Sequence, residues 1–388
     1  MITDNLPNAN VVDVDSYHEL AAIKQEELLR QRTAEPPQEE PEVMRAQLAL
    51  GKRFLNWRTL VPLIIVLAAL VFFAQKTNIN PQKTWAAIRT ANVLFFLVAF
   101  AIYYFSFAIR ALRWRLLLEN VGFTRANGIL LPRFWKLVEI IYISFFANSV
   151  VPAKLGDLYR AYLLRQEVGV STTRSVGTVL AERLLDLIVL LLMFIPAIII
   201  SLHEHLPQQL QLGLEVTLVL VMTGIIALFI LRVWREPIAK LIPLRLRGYY
   251  YHLQGGILGS FQRLPSLTAL TVGVWLCEGL RFYFIALSLN LIVGDPIHVL
   301  TAAIFIGLGE ALLTAVPATG GGVGLVEGGM VAMIALFYQG ANAPNLTVAA
   351  ILLDRTISLF SLIAIGSIVF CVAFGRQATR KTRGKENS

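Results

Sequence analysis

The sequence predicts an all-α polytopic membrane protein of about six spanning helices plus two re-entrant helical hairpins, arranged as an inverted repeat. Three observations carry this. Of 388 residues, 56% are apolar but only 15% are charged, where a soluble domain carries about a quarter. The apolar residues fall into long uncharged runs near the length a bilayer requires, about 20 residues at about 1.5 Å each. Two of these runs are interrupted by Pro and Gly, which break helices. Low hydrophobicity with high net charge marks a disordered chain, and this composition excludes one. It also excludes a soluble multidomain enzyme, whose surface must be polar. The net charge of +9 does not indicate nucleic-acid binding. Many of the Lys and Arg flank apolar runs, where the inside-positive bias and anionic headgroups place them.

Residues 1–50 read as an acidic N-terminal arm and linker, with Glu35-Pro36-Pro37 and no apolar stretch of the signal-peptide type. Residues 51–375 form the transmembrane domain, with halves at about 55–202 and 212–375, and 376–388 is a basic cytoplasmic tail. Six runs are read as spans: 59–74, 90 or 91 to 109, 176–202, 216–231, 267–293 and 347–374. The second is expected to stop at Arg110, Arg113 and Arg115.

The two remaining stretches behave differently. Residues 140–153 are uncharged but extend only about 21 Å as a helix, too short to cross comfortably. Residues 299–338 are long enough but contain Val316-Pro317-Ala318-Thr319-Gly320-Gly321-Gly322-Val323-Gly324. Irregular backbone at membrane depth persists only when buried in protein or lining a wet cavity. Charge bias decides their path. Arg45, Lys52, Arg53 and Arg58 set the N-terminus in the cytoplasm. Keeping Lys154, Arg160, Arg165 and Arg174 on that side requires the first stretch to dip in and return. A cytoplasmic tail requires the second to do the same from outside. The expected location is the cell (inner) membrane with both termini cytoplasmic.

Each half then reads span, span, hairpin, span, and the odd number of crossings makes the halves inverted. Three pairs recur in the same order: Arg113-Trp114 with Arg281-Phe282, Val151-Pro152-Ala153 with Val316-Pro317-Ala318, and Glu182-Arg183 with Asp354-Arg355. Inverted repeats whose broken elements meet at mid-membrane are a transporter device.

Charges inside spans cost about 2.5–3.5 kcal/mol each on insertion scales and face a cavity or a partner. Glu182 and Asp186 are four apart and share a helix face, while Arg183 points about 100° away. Asp354 and Arg355 diverge likewise. One charge of each pair is expected to line a polar cavity; the alternative is an interfacial charge that snorkels to water. In the first hairpin, Asn148 offers an amide to freed backbone groups, Pro152 and Gly156 bracket the turn, and Asp157 and Arg160 open the returning helix. Freed N–H groups there, with Lys154 and Arg160, would hold a lipid phosphate; Asp157 as a plain cap is the alternative. In the second hairpin, Glu310 precedes Pro317 and Glu327 follows Gly324. Gly320, Gly321 and Gly322 allow close backbone approach to a ligand, or simply close helix packing. Cys277 and Cys371 read as buried bystanders. No CxxC, HExxH or His-pair motif appears, His203-Glu204-His205 reads as a loop, and no metal or cofactor is expected.

These residues resemble a known family. Asn148, Pro152, Gly156-Asp157 and Arg160-Ala161-Tyr162-Leu163-Leu164 carry the resemblance. So do Ala181-Glu182-Arg183-Leu184-Leu185-Asp186, the run from Pro317 to Gly324 with Glu327, and the upstream Arg110, Arg113 and Trp114. Together they look like the transmembrane region of lysylphosphatidylglycerol synthases, also called flippase-like domain proteins, over roughly residues 55–375. The family often has Gly-Glu where this sequence has Gly156-Asp157. In full-length synthases this region flips an aminoacylated phospholipid made by a soluble C-terminal transferase domain. The sequence ends soon after Gly375, so lysyl transfer by this chain alone is not expected. The resemblance implies binding or translocating a polar phospholipid. Arg113, Arg160, Arg183, Arg281 and Arg355 would contact phosphate, and Glu182, Asp186, Glu310, Glu327 and Asp354 would balance them or take a cationic headgroup or a proton. No P-loop is present, so movement would be downhill or ion-coupled. The alternatives are an intramembrane enzyme acting on a lipid or lipid-linked sugar, and an accessory subunit that binds a lipid-modifying enzyme through the acidic arm.

Overall fold

The computed structural model describes residues 80–150, 154–201, 208–292, 294–315, 322–338, 340 and 342–373. The regular elements among them are helical. Helices α1 (Pro81–Thr90) and α2 (Val93–Asn120) start where Asn80 and Asn92 accept backbone N–H groups on their side chains, from Gln82 at 2.9 Å and Leu94 at 3.0 Å. Next come α3 (Phe134–Val150), α4 (Leu155–Val168), α5 (Thr172–Ser201), α6 (Gln208–Val233), the short α7 (Arg235–Leu241) and α8 (Leu244–Gly259). Then follow α9 (Leu264–Ser288), α10 (Pro296–Ala315), α11 (Leu325–Ala335) and α12 (Ala343–Arg355). The last continues through a π-helical turn, Thr356–Ser361, to residue 373.

Among the described residues, five helical runs are long and apolar enough to cross a membrane: α2, α5, α9, α10 and Ala343–Ala373. Their outward faces carry exposed Leu97, Phe105, Leu192, Ile199 and Ile368. So much exposed apolar side chain suits lipid contact rather than water. The architecture is an all-α polytopic membrane fold. The expected span at 59–74, the acidic arm, the loop histidines and Pro152, Pro317, Gly320 and Gly321 lie outside the described residues.

Helix boundaries differ from expectation, most of all at α2. α2 does not stop at Arg110 but runs to Asn120, because Arg110 and Arg113 are buried and paired and need no exit to water. α10 has 20 residues, about 30 Å, so its length alone would cross; α11, with 11 residues, reaches only about half as far back. Cys277 is buried as expected, but Cys371 is exposed, because it sits on the outward face of the last helix.

Both hairpins close at their mouths. Lys136 Nζ near the start of α3 meets Glu167 Oε1 near the end of α4 at 3.2 Å. The His298 and Phe337 rings, at the start of α10 and just beyond α11, are 6.0 Å apart. Each hairpin therefore returns to the end from which it set out.

The centre of the molecule is the antiparallel pair α2 and α9, whose contacts are reciprocal. Arg110 pairs with Glu278, 168 positions away. The same interval relates Asn92 to Ser260 and Asn120 to Ser288. Asn92 N donates to Ser288 O at 2.8 Å, and Asn120 Nδ2 donates to Ser260 O at 2.9 Å. Both helices end alike. Gly122 (φ 87°) and Asn290 (φ 49°), again matched, turn left-handed, and the next residues donate back to Leu118 O and Ala286 O at 3.0 and 2.9 Å.

Candidate functional site: two buried ion clusters

The first cluster is built where α2 and α5 meet the α3–α4 hairpin. Arg113, fully buried on α2, donates from Nη1 to Asp186 Oδ1 and from Nη2 to Glu182 Oε1, both at 2.5 Å. One turn separates the two acids on α5, so a single guanidinium clamps both. Nη1 also donates to Thr271 Oγ1 on α9 at 2.9 Å. The other oxygen of Glu182 accepts from Arg160 Nη2 on α4 at 2.7 Å, and the Arg160 guanidinium lies 5.1 Å over the Trp114 ring. Arg183, on the other face of α5, makes a two-pronged pair with Asp157, Nε to Oδ2 and Nη2 to Oδ1, each 2.8 Å.

The second cluster repeats this plan on α9, α10, α11 and α12. Arg281 donates from Nη1 to Asp354 Oδ1, from Nη2 to Glu310 Oε2 at 2.6 Å, and from Nε to Glu278 Oε2 at 3.2 Å. Arg355 Nε meets Glu327 Oε1 at 2.8 Å, and its Nη1 lies 3.8 Å from Glu310 Oε1. Glu327 also accepts from Gly324 N at 2.5 Å, which satisfies a donor at the start of α11. Arg113 corresponds to Arg281, Glu182-Arg183 to Asp354-Arg355, and Asp157 to Glu327. The flanking contacts correspond too: Arg113 meets Thr271, and the Arg281 guanidinium lies 5.8 Å from the Tyr103 ring. Between the clusters, Arg110 Nη2 donates to Glu278 Oε1 at 2.7 Å, its guanidinium 4.8 Å over Phe145.

Several expectations need correction. Asn148 does not serve the backbone: its Nδ2 donates to Asp157 Oδ1 at 3.0 Å. Asp157 is no plain cap, since its oxygens are taken by Asn148 and Arg183; Lys154, at φ 52°, precedes the helix instead. Gly156 lets α3 and α4 touch, because a Cβ there would overlap the Ser144 carbonyl oxygen and lie 2.9 Å from Asn148 N. Gly322 and Gly324 take φ of 72° and 90°, as a turn between α10 and α11 demands. The arginines offered for phosphate are engaged by carboxylates, and Arg113, Arg160 and Arg281 are at most 2% exposed. Arg183 is the accessible one, with a side chain 32% exposed. Sequence reasoning missed Arg110, Glu278, Thr271 and Tyr103 as members of the site. The signal for the first two was present: Arg110 precedes Arg113, and Glu278 precedes Arg281, by the same single turn.

Some buried donors around the first cluster, Trp114 Nε1 and the Nε atoms of Arg113 and Arg160, have no acceptor among the described residues. Buried polar groups rarely stay unpaired, so these donors keep hydrogen-bonding capacity unspent.

A family model described as the lysylphosphatidylglycerol synthase TM region matches residues 59–366. A UPF0104 membrane protein of Methanocaldococcus jannaschii is 33% identical over 231 residues, 58% of this chain and 94% of that protein. One of Pyrococcus horikoshii is 24% identical over 321 residues, 74% of this chain and 90% of its own. Glycosyltransferase AglD of Haloferax volcanii is 26% identical over 142 residues, 37% of this chain and 22% of that protein. The family match spans both ion clusters and every described span but the end of the last, and the chain accordingly belongs to the lysylphosphatidylglycerol synthase TM-region family of integral membrane proteins.

Proposed function

We propose that this protein is a flippase-like lipid translocator that handles the polar headgroup of a phospholipid, with its halves working as an inverted repeat. The reading sets it in the cell (inner) membrane with both termini cytoplasmic. The observation that carries it is the matched pair of buried ion clusters, each placed where a broken hairpin packs on long apolar helices. Charges at such depth are costly unless they serve a polar path, and reciprocal contacts across α2 and α9 support a two-fold axis lying in the membrane plane. Arg183 is where a headgroup phosphate would first engage. It already holds a carboxylate in a two-pronged grip, and phosphate oxygens fit the same fork. Trp114 and Arg160 offer further donors behind it.

The test is reconstitution of the full chain into liposomes containing phosphatidylglycerol with a fluorescent headgroup, scoring exchange between leaflets. Wild type exchanges the probe. Arg183→Ala and Glu327→Ala each slow exchange by about tenfold or more, the factor that about 1.4 kcal/mol produces. Exchange no faster than in protein-free liposomes sinks the reading.

The partial match to a glycosyltransferase favours a second reading, in which the substrate is a lipid-linked sugar. The same assay with a polyprenyl-phosphate sugar probe separates the two. A lipid-modifying enzyme bound through the acidic arm would fit either.

A further inference from the structure

The two clusters share a plan but not a charge balance. In the first, Arg113, Arg160 and Arg183 pair with Asp157, Glu182 and Asp186, with Lys154 beside them, so no carboxylate is in excess. In the second, Arg110, Arg281 and Arg355 face Glu278, Glu310, Glu327 and Asp354, leaving one carboxylate in excess. The difference has a specific origin. Glu182 sits between two guanidiniums, Arg113 and Arg160. At the position matching Arg160, set by the interval from Asp157 to Glu327, the second half has the fully buried Met330. Among the described residues, the hydrogen-bond donors to Asp354 are Arg281 and the Ser358 hydroxyl, the latter at 3.3 Å.

Three carboxylates consequently converge on one guanidinium: Asp354, Glu310 and Glu278 all accept from Arg281. Asp354 is fully buried, and Arg281 and Glu310 are at most 4% exposed. Arg355, the other nearby cation, meets Glu327 at 2.8 Å and stands off Glu310 at the longer 3.8 Å. The two terminal nitrogens of the Arg281 guanidinium hold Asp354 Oδ1 and Glu310 Oε2 side by side, and two carboxyl groups set so close on one cation are relieved when one of them carries a proton. An uncompensated charge in this setting is far costlier than a bound proton. The charged and titratable groups around the pair are Tyr103 and Arg110 from α2, Glu278 and Arg281 from α9, Glu327 from α11 and Arg355 from α12. The Tyr103 hydroxyl donates to Ser358 O at 3.1 Å, so it does not supply the missing hydrogen.

We propose that Glu310 and Asp354 hold one exchangeable proton between them and that this proton couples lipid movement to the transmembrane proton gradient. An O–H bond forms on uptake from one side and breaks on release to the other, with no other bond changed. The proton site stands on the cluster itself; the coupling rests on the translocator reading.

Infrared difference spectroscopy of the purified full chain in nanodiscs, across a pH jump, reads the site directly. Wild type shows a protonated carboxylic-acid carbonyl band that Glu310→Gln and Asp354→Asn lose. Met330→Arg, which restores the guanidinium of the first half, loses it too with both acids present. Should either variant at Asp354 or Met330 fail to fold, Glu310→Gln decides alone. No such band in wild type, or one that survives in folded Glu310→Gln, overturns the proton site. Coupling is read in proteoliposomes with headgroup-labelled phosphatidylglycerol. An imposed gradient of one pH unit changes wild-type exchange by up to about tenfold, the ratio one coupled proton allows, and leaves Glu310→Gln unaffected. Exchange that ignores the gradient overturns coupling. A band without exchange under any gradient overturns the translocator reading and coupling together, and leaves the proton site intact.

Discussion

Arg110 and Glu278 show how much a buried charge depends on its partner. Their side chains are 6% and 12% exposed and 2.7 Å apart. Removing Arg110 leaves Glu278 buried with the longer 3.2 Å bond from Arg281 Nε; breaking a buried pair costs about 3–5 kcal/mol, whereas replacing both members with apolar groups of similar size is close to neutral. Arg110→Met is therefore expected to lower unfolding free energy by about 3–5 kcal/mol, and Arg110→Met with Glu278→Met to recover most of it. Chemical denaturation in detergent measures both. Residues of this kind were only partly legible in the sequence. Glu182 and Asp186 could be assigned one face because helix periodicity is local. The Arg113 that clamps them lies 69 and 73 positions away, and no local pattern names a partner at that distance.

At the scale of elements, the hairpins are held by shape as much as charge. Gly156 brings α4 against the backbone of α3, and that contact sets Asn148 beside Asp157 and Asp157 beside Arg183. Gly156→Ala pushes the helices apart and costs about 1–3 kcal/mol by overpacking; it also loosens the Arg183 fork, so it is expected to slow leaflet exchange as well as lower thermal stability. A variant with normal melting and normal exchange would show that the close approach is dispensable. The existence and order of these helices were legible from apolar runs and their breaks. Their ends were less so. The boundary assigned at Arg110 fell about ten residues early, because a charge inside a helix reads as an exit to water until its counter-ion is known.

For the whole molecule, closed hairpins and odd crossings make a topological statement. On the proposed reading, the loop after α4 faces the cytoplasm and the start of α12 faces outside. Gln166 and Asn342 are both exposed. In a Cys371→Ser background, which removes the exposed native thiol, Gln166→Cys is expected to label only from the cytoplasmic side and Asn342→Cys only from outside. Labelling from the same side would refute the inverted arrangement. The all-α polytopic class was the most legible level of all, because hydropathy is summed over many residues, and single errors in boundary do not change it.

The pairing of Arg110 with Glu278 has one more consequence. Both lie at corresponding positions beside the axis that relates α2 to α9. Were the two units separate, identical subunits, that axis would set like against like, arginine on arginine or glutamate on glutamate, and the contact would repel. Carried in one chain, corresponding positions are free to take opposite signs. A single polypeptide can thus join corresponding positions by opposite charges, a contact that identical subunits could not make.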